Sequence, residues 1–419
     1  MTKVYSLKSG KTYTAPSLFV YPQSDLDVTS LWNMDEKNKL THIDGLYLSL
    51  SNYKQIYKKL NFNTQPLFNS NRITIRDKIL LLDPSIDKLL TGMEDEKRRM
   101  FDTGRFDRRI EKIMREIKSS DMNTFEKSLM IMNEIYPKLQ VRPLIEIQTE
   151  SNVDMIISPC IPITSKNKLT ERFNFARQML NDTRTLLETS SLKKYKETKD
   201  LMNVLTLSRS IIAEERNFHA LFDLLLCNNP DHVGIKIDRI EESDTVAQIT
   251  LYKFFREFYE YAKHKTGNKP PPMHFINVNE LGYVSYCSAV SNIVCPIGHS
   301  PSYTFMRKKG GGGTSTASIE IDTSMKYYHP INMDYPKFNL QNPFPCACTE
   351  CKRRHSADNI PYQERPLHNR KHWLEVKDGE IREFRETPTM LNIALRDKFA
   401  RANRTQLIAY LPTTPIFAH

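Results

Sequence analysis

The chain has 419 residues, 39% hydrophobic and 26% charged, with 60 Lys and Arg against 49 Asp and Glu and a formal net charge of +11. That length predicts one large α/β domain with insertions, or two domains. No apolar run reaches the ~18 residues that span a bilayer, and Met-Thr-Lys-Val-Tyr-Ser-Leu-Lys at the start lacks an apolar signal core, which argues against a membrane protein and predicts a cytoplasmic one.

The first third alternates strand and helix. Ala15–Tyr21 and Asp44–Leu50 read as strands, and the chain from Asn52 onward looks helical. Asp77–Pro84 is a continuous apolar run ended by Asp-Pro, the pattern of a buried parallel strand that opens into a loop. Residues 93–140 are rich in Lys, Arg, Glu and Met at helical spacing and read as a helical insertion. Leu144–Gln148 and Val153–Pro159 look like strand, and residues 166–225 like helix. Val233–Asp238 is a strand, Val246–His264 a helix, Lys269–Val278 leads into another strand, Tyr283–Ala289 is a short helix, and Ser291–Pro296 is a further strand. Strands alternating with helices predict a parallel sheet, and their number favours a closed (β/α)8 TIM-type barrel over an open doubly wound sheet. Neither G-x-G-x-x-G nor G-x-x-x-x-G-K-[ST] occurs, which speaks against dinucleotide and nucleoside-triphosphate sites.

The basic excess suits a polyanionic partner, because phosphate neutralisation supplies most sequence-independent nucleic-acid affinity. Arg307, Lys308 and Lys309 precede the run Gly310–Gly313 and read either as a basic loop beside a phosphodiester or as a solvated connection. Cys160, Cys227, Cys287 and Cys295 lie in apolar stretches and read as buried thiols.

The other three cysteines are clustered. Cys346, Cys348 and Cys351 fall within Pro-Cys-Ala-Cys-Thr-Glu-Cys, and C-x-C-x-x-C lets three thiolates converge on one zinc ion. His368, followed by Asn369 near the start of a helix opened by Pro366, is the first choice for a fourth ligand, with His372 and His355 as alternatives. A full Cys3His set leaves no open coordination position, so the expected zinc is structural.

With its surroundings, Asp322…Tyr327-Tyr328…Asp334-Tyr335…Asn342-Pro-Phe-Pro-Cys346…Cys351…Leu367-His368-Asn369, this segment resembles the zinc region of the tRNA-guanine transglycosylase superfamily, which includes the enzymes that insert deazaguanines into DNA. The resemblance implies a (β/α)8 barrel carrying a zinc-binding elaboration. Residues 1–345 would form the barrel core with its insertion around 90–140, and 346–419 the zinc-binding and C-terminal helical segment. It also implies exchange of guanine for a 7-deazaguanine in tRNA or DNA, and leaves open a homo- or heterodimer. Upstream, Lys8–Val20 is similar to the family's opening strands, and Ile79-Leu-Leu-Leu-Asp83-Pro-Ser to the strand ending in Asp-Ser-Gly-Gly, which makes Asp83 the candidate acid/base and substrate contact. Gly234 falls where the family has its base-binding glycines, and Asp154 and Asp238 are candidates to line the same mouth. One departure is plain: the family's nucleophilic Asp stands in a Phe-Asp-Cys-like context on a late strand, and the corresponding segment Ala289–His299 contains no Asp. Cys295, His299 and Asp322 are the nearby substitutes. A catalytically silent relative that binds nucleic acid or a partner is the alternative. For the metal, Cys348→Ser is expected to lose zinc and unfold, read by metal analysis and circular dichroism; a folded but inactive variant would instead mark a catalytic metal.

Overall fold

The computed structural model describes residues 3–35, 40–52, 78–91, 94–237, 245–276, 278, 282, 285–286, 289–297, 319–321, 326–328 and 365–386. Two short strands, β1 (Lys3–Ser6) and β2 (Thr12–Ala15), form an antiparallel hairpin. The next eight are β3 (Ser17–Tyr21), β4 (Ile43–Ser49), β5 (Ile79–Asp83), β6 (Met155–Ser158), β7 (Asp200–Leu207), β8 (His232–Ile237), β9 (Met273–Ile276) and β10 (Val290–Pro296). They run in chain order and close into a parallel barrel, β10 pairing with both β9 and β3. This is the (β/α)8-type barrel that the alternation predicts. A last pair, β11 (Ile319–Ile321) and β12 (Lys326–Tyr328), is antiparallel.

Strand periodicity divides each barrel strand between two cores. Phe19, Ile79, Leu81, Met155, Ile157, Met202, Val204, Ile276 and Val294 fill the lumen. Their neighbours Leu18, Leu80, Ile156, Leu205, Val233, Phe275 and Cys295 face the helical layer. Gly234 is an inward position, and a Cβ there would lie 2.6 Å from the Met202 side chain and 2.9 Å from that of Ile276. The lumen is thus a packed core whose filling requires glycine at that height.

Two elements differ from the sequence reading. Leu144–Gln148 belongs to the helix Val141–Glu150, not to a strand: a short apolar run is ambiguous by periodicity, and here Gln148 settles it by bonding Leu144 O and Ile157 O through Nε2 and accepting the Ile157 N–H. Within 166–225, helix occupies Leu169–Thr189 and Phe218–Leu225, but Asp200–Leu207 is fully buried strand β7. Its polar members disguise it: outward-facing Asn203 donates to Leu225 O and Cys227 O, and inward-facing Asp200 belongs to a buried network.

The helix Arg365–Glu386 straps the first strands. Asp378 accepts the backbone N–H of His42 at 2.6 Å and of Ile43 at 3.0 Å, Arg385 pairs with Asp44 and donates to Pro16 O, and Arg370 pairs with Asp27.

The N-terminal end of the barrel carries a buried polar chain. Asp200 Oδ2 lies 3.1 Å from His232 Nε2, His232 Nδ1 lies 3.2 Å from His274 Nε2, and Asn292 Nδ2 lies 2.7 Å from His274 Nδ1. With both rings neutral, every link has one donor: His232 Nε2–H to Asp200, His274 Nε2–H to His232, and the Asn292 amide to His274. The hairpin closes over it, Tyr13 packing against both imidazoles while Lys8 reaches Asp200 and Asp231. Burial, then the neighbouring His232, holds the His274 pKa well below the usual imidazole value. The unfolded chain therefore binds more protons than the folded one below about pH 6.5, so this contribution is complete above that pH and is lost as the pH falls. Urea titrations are expected to show stability falling as the pH drops below about 6.5, with His274→Asn flattening that part of the profile.

Candidate functional site

Active sites of such barrels lie at the C-terminal ends of the strands. Here β5 delivers Asp83 to that end, register-paired with Ser49 of β4. Asp83 Oδ1 accepts the Ser85 N–H at 2.8 Å, and Oδ2 takes both the Tyr47 hydroxyl and the Lys236 ammonium. Lys236 Nζ also lies 3.2 Å from Oδ1 of Asp87, in the first turn of the helix Ile86–Thr91. β5 and β8 stand three strands apart in the barrel order, so the lysine reaches across the lumen to make this bridge. Side-chain exposure is 5% for Lys236, 7% for Asp83 and 3% for Asp87, so each charge needs the others.

The surroundings fix the protonation states. Burial alone would lower the Lys236 pKa, but Asp83 and Asp87 more than offset it, and the net shift is upward. The ammonium therefore stays charged at neutral pH, which removes it as an attacking amine. Burial first, and then the Asp83 charge, raises the Tyr47 phenol, keeping it a donor. Tyr21 packs edge-on to Tyr47 at 5.5 Å, and burial raises its phenol too. Ser49 Oγ lies 2.7 Å from both Ser51 Oγ and Ser85 Oγ, and Arg99 of the helix Glu94–Phe101 donates to Ser51 O, tying the insertion to the mouth. Ser85 has φ +52°, a left-handed conformation unusual for a side-chain-bearing residue and held by the Asp83 contact. With two partners on Oδ2 and one on Oδ1, Asp83 retains acceptor capacity on Oδ1.

Of the residues singled out from sequence, Asp83 reaches the mouth. Asp154 does not: it precedes β6 at the opposite end, where it pairs with Lys11 at 2.9 Å and accepts the Leu80 N–H at 2.8 Å. The misplacement is one of polarity, since an Asp that opens a parallel strand lies at the far end from one that closes a strand. Gly234 sits inside the lumen, where Met202 and Ile276 take the space that its missing Cβ leaves. On β10 the inward side chain nearest the mouth in the apolar core is Val294, while Cys295 points outward among the helices, buried as a small hydrophobe. Asp238, His299, Asp322, Arg307, Lys308, Lys309, His355, Cys346, Cys348 and Cys351 lie outside the described residues. His368 and His372 are both buried on the helix Arg365–Glu386, their rings near-parallel at 6.5 Å between centroids. Among the described residues no group of three His, Cys, Asp or Glu could hold a metal, and no helix is long and apolar enough to cross a membrane.

Lys236, Asp87 and Tyr47 were not singled out from sequence. The usable signal was Val-Gly-Ile-Lys-Ile: strand alternation puts Lys236 on the face of Gly234, and a lysine inside a barrel demands a buried acid. Compared with protein-family models and with curated proteins, the chain matches none.

Lys236→Met would leave two buried carboxylates without their cation and is expected to cost about 3–5 kcal/mol in urea unfolding, part of which the double variant Lys236→Met/Asp83→Asn recovers.

Proposed function

We propose that this chain is a transglycosylase-like barrel that binds nucleic acid without itself carrying out base exchange through a covalent carboxylate. The observation that carries this reading is the group facing Asp83. Covalent exchange needs a carboxylate that attacks the ribose anomeric carbon while a second group manages protons. Across the mouth from Asp83 stands Lys236, a charged ammonium already in contact with it, and the apolar-core residue that late strand β10 turns inward nearest the mouth is Val294. Neither can act as that nucleophile. Asp83 in turn is engaged as the counter-ion of a buried cation. The resemblance of the cysteine segment supports the ancestry: Cys346, Cys348, Cys351 and His368 would bind a structural zinc ion whose role is folding.

The second reading, an active enzyme exchanging guanine for a 7-deazaguanine in tRNA or DNA, is favoured by one observation, the acceptor capacity that Asp83 Oδ1 keeps at the mouth. One experiment separates the two. Purified protein is incubated with labelled guanine and either tRNA or duplex DNA, and binding is followed in parallel. Binding without label incorporation or covalent trapping is expected, with Asp83→Asn leaving affinity within about twofold. Incorporation that disappears in Asp83→Asn would overturn the proposal in favour of the enzyme.

A further inference from the structure

We infer that the helix Arg108–Ser119, in the insertion after β5, is a docking surface for the sugar–phosphate backbone of a single-stranded nucleic acid, an inference that rests on the nucleic-acid reading above. The helix is sharply two-sided. Ile110 and Ile117 are buried, with Ile113 and Met114 packed against the same core. On the opposite side Arg108, Lys112 and Arg115 are exposed at i, i+4 and i+7, a stripe roughly 10 Å long. The helix holds Arg108, Arg109, Lys112, Arg115 and Lys118 against Glu111 and Glu116.

These cations are poorly explained by the helix's own stability. Arg108 and Arg109 occupy the first turn, where the helix dipole disfavours positive charge. Their partners are local and only half-buried: Glu111 bridges Arg108 at 3.2 Å and Arg115 at 2.5 Å, and Asp107 holds Arg109 at 2.7 Å. Side-chain exposure is 65% for Arg108 and 76% for Arg115. Exposed pairs of this kind are weak and can be exchanged for phosphate oxygens, which accept bidentate arginine contacts.

Position selects the partner. The insertion leaves the barrel at the C-terminal end of β5, immediately after Asp83, and its helix Glu94–Phe101 is bound to the mouth through Arg99 and Ser51 O. The cleft between this helix and Arg108–Ser119 is lined by Lys97, Arg98, Arg115 and Lys118 against Asp95 and Glu111, an excess of positive charge. Arg108 lies over the Phe101 ring at 6.0 Å, joining the stripe to that cleft. A single strand can follow one helix face and the adjoining cleft.

The test measures binding of single-stranded RNA and DNA 20-mers to the full chain across 50–200 mM salt. Arg108→Gln/Lys112→Gln/Arg115→Gln is compared with a control triple at the other end of the barrel, Lys263→Gln/Lys265→Gln/Lys269→Gln. These six side chains are exposed, so thermal melts should match the wild type. The first triple is expected to bind roughly tenfold more weakly, with its log–log salt slope reduced by about 2, while the control stays near wild type. The RNA and DNA arms tell which backbone is preferred. Equal losses in both triples, or an unchanged first triple, would overturn the docking surface while leaving the function above intact. A wild-type protein that binds neither oligonucleotide would overturn the docking surface, and one that also binds neither tRNA nor duplex DNA would overturn the function above as well.

Discussion

Closure of the sheet between β10 and β3 is the constraint on which the remaining features depend. Five consecutive register pairs, from Asn292 with Ser17 to Pro296 with Tyr21, join the last barrel strand to the first. Once the ring is closed, every second side chain must fit a lumen of fixed size. That requirement places Gly234 against Met202 and Ile276, and it leaves Lys236, two residues further along β8, on the same inward face at the mouth. The polar side chains are consequently gathered at the two ends of the lumen, separated by an apolar middle. At one end a hydrogen-bonded chain from Asp200 through His232 and His274 to Asn292 has its donors and acceptors matched in series. At the other, a charged cluster joins Asp83, Asp87 and Lys236.

The two ends are stabilised by different physics. The histidine chain relies on matched donor directions around a His274 ring that burial keeps unprotonated, so adding a proton there damages it. The mouth cluster relies on full charges that compensate one another, so removing any one is costly. A buried ion pair is weak evidence for stability, since a matched apolar set often serves as well. Its presence at the end of the barrel where active sites of this fold lie is what gives the lysine its interest: it stands opposite Asp83 across the mouth.

Much of this fold was legible in the sequence, and the failures have physical causes. The run Ile79-Leu-Leu-Leu ended by Asp83-Pro84 announced a buried parallel strand with a carboxylate at its exit, and that is where Asp83 stands. Asp200–Leu207 escaped because its polar members are satisfied only by distant residues, such as His232 for Asp200 and Leu225 O for Asn203. Leu144–Gln148 was misread because so short a stretch, with Leu144, Ile145 and Ile147 as its apolar members, fits both periods. Asp154 was assigned to the mouth because charge beside an apolar run was legible while its end of the strand was not. Lys236 was visible as a residue but not as a partner, because its carboxylates come from a strand and helix about 150 positions earlier in the chain.

The strap made by Arg365–Glu386 bears on how the protein is made. Asp378 supplies the acceptor for the N–H groups of His42 and Ile43, more than 330 positions earlier. On the ribosome, the entrance to β4 therefore has its native acceptor only after more than 330 further residues have been translated. The opening strands must wait, with apolar faces in need of cover, until that late helix emerges. The strap is thus the last part of the described structure to be added, and the period before it is the window in which a nascent-chain chaperone has work to do.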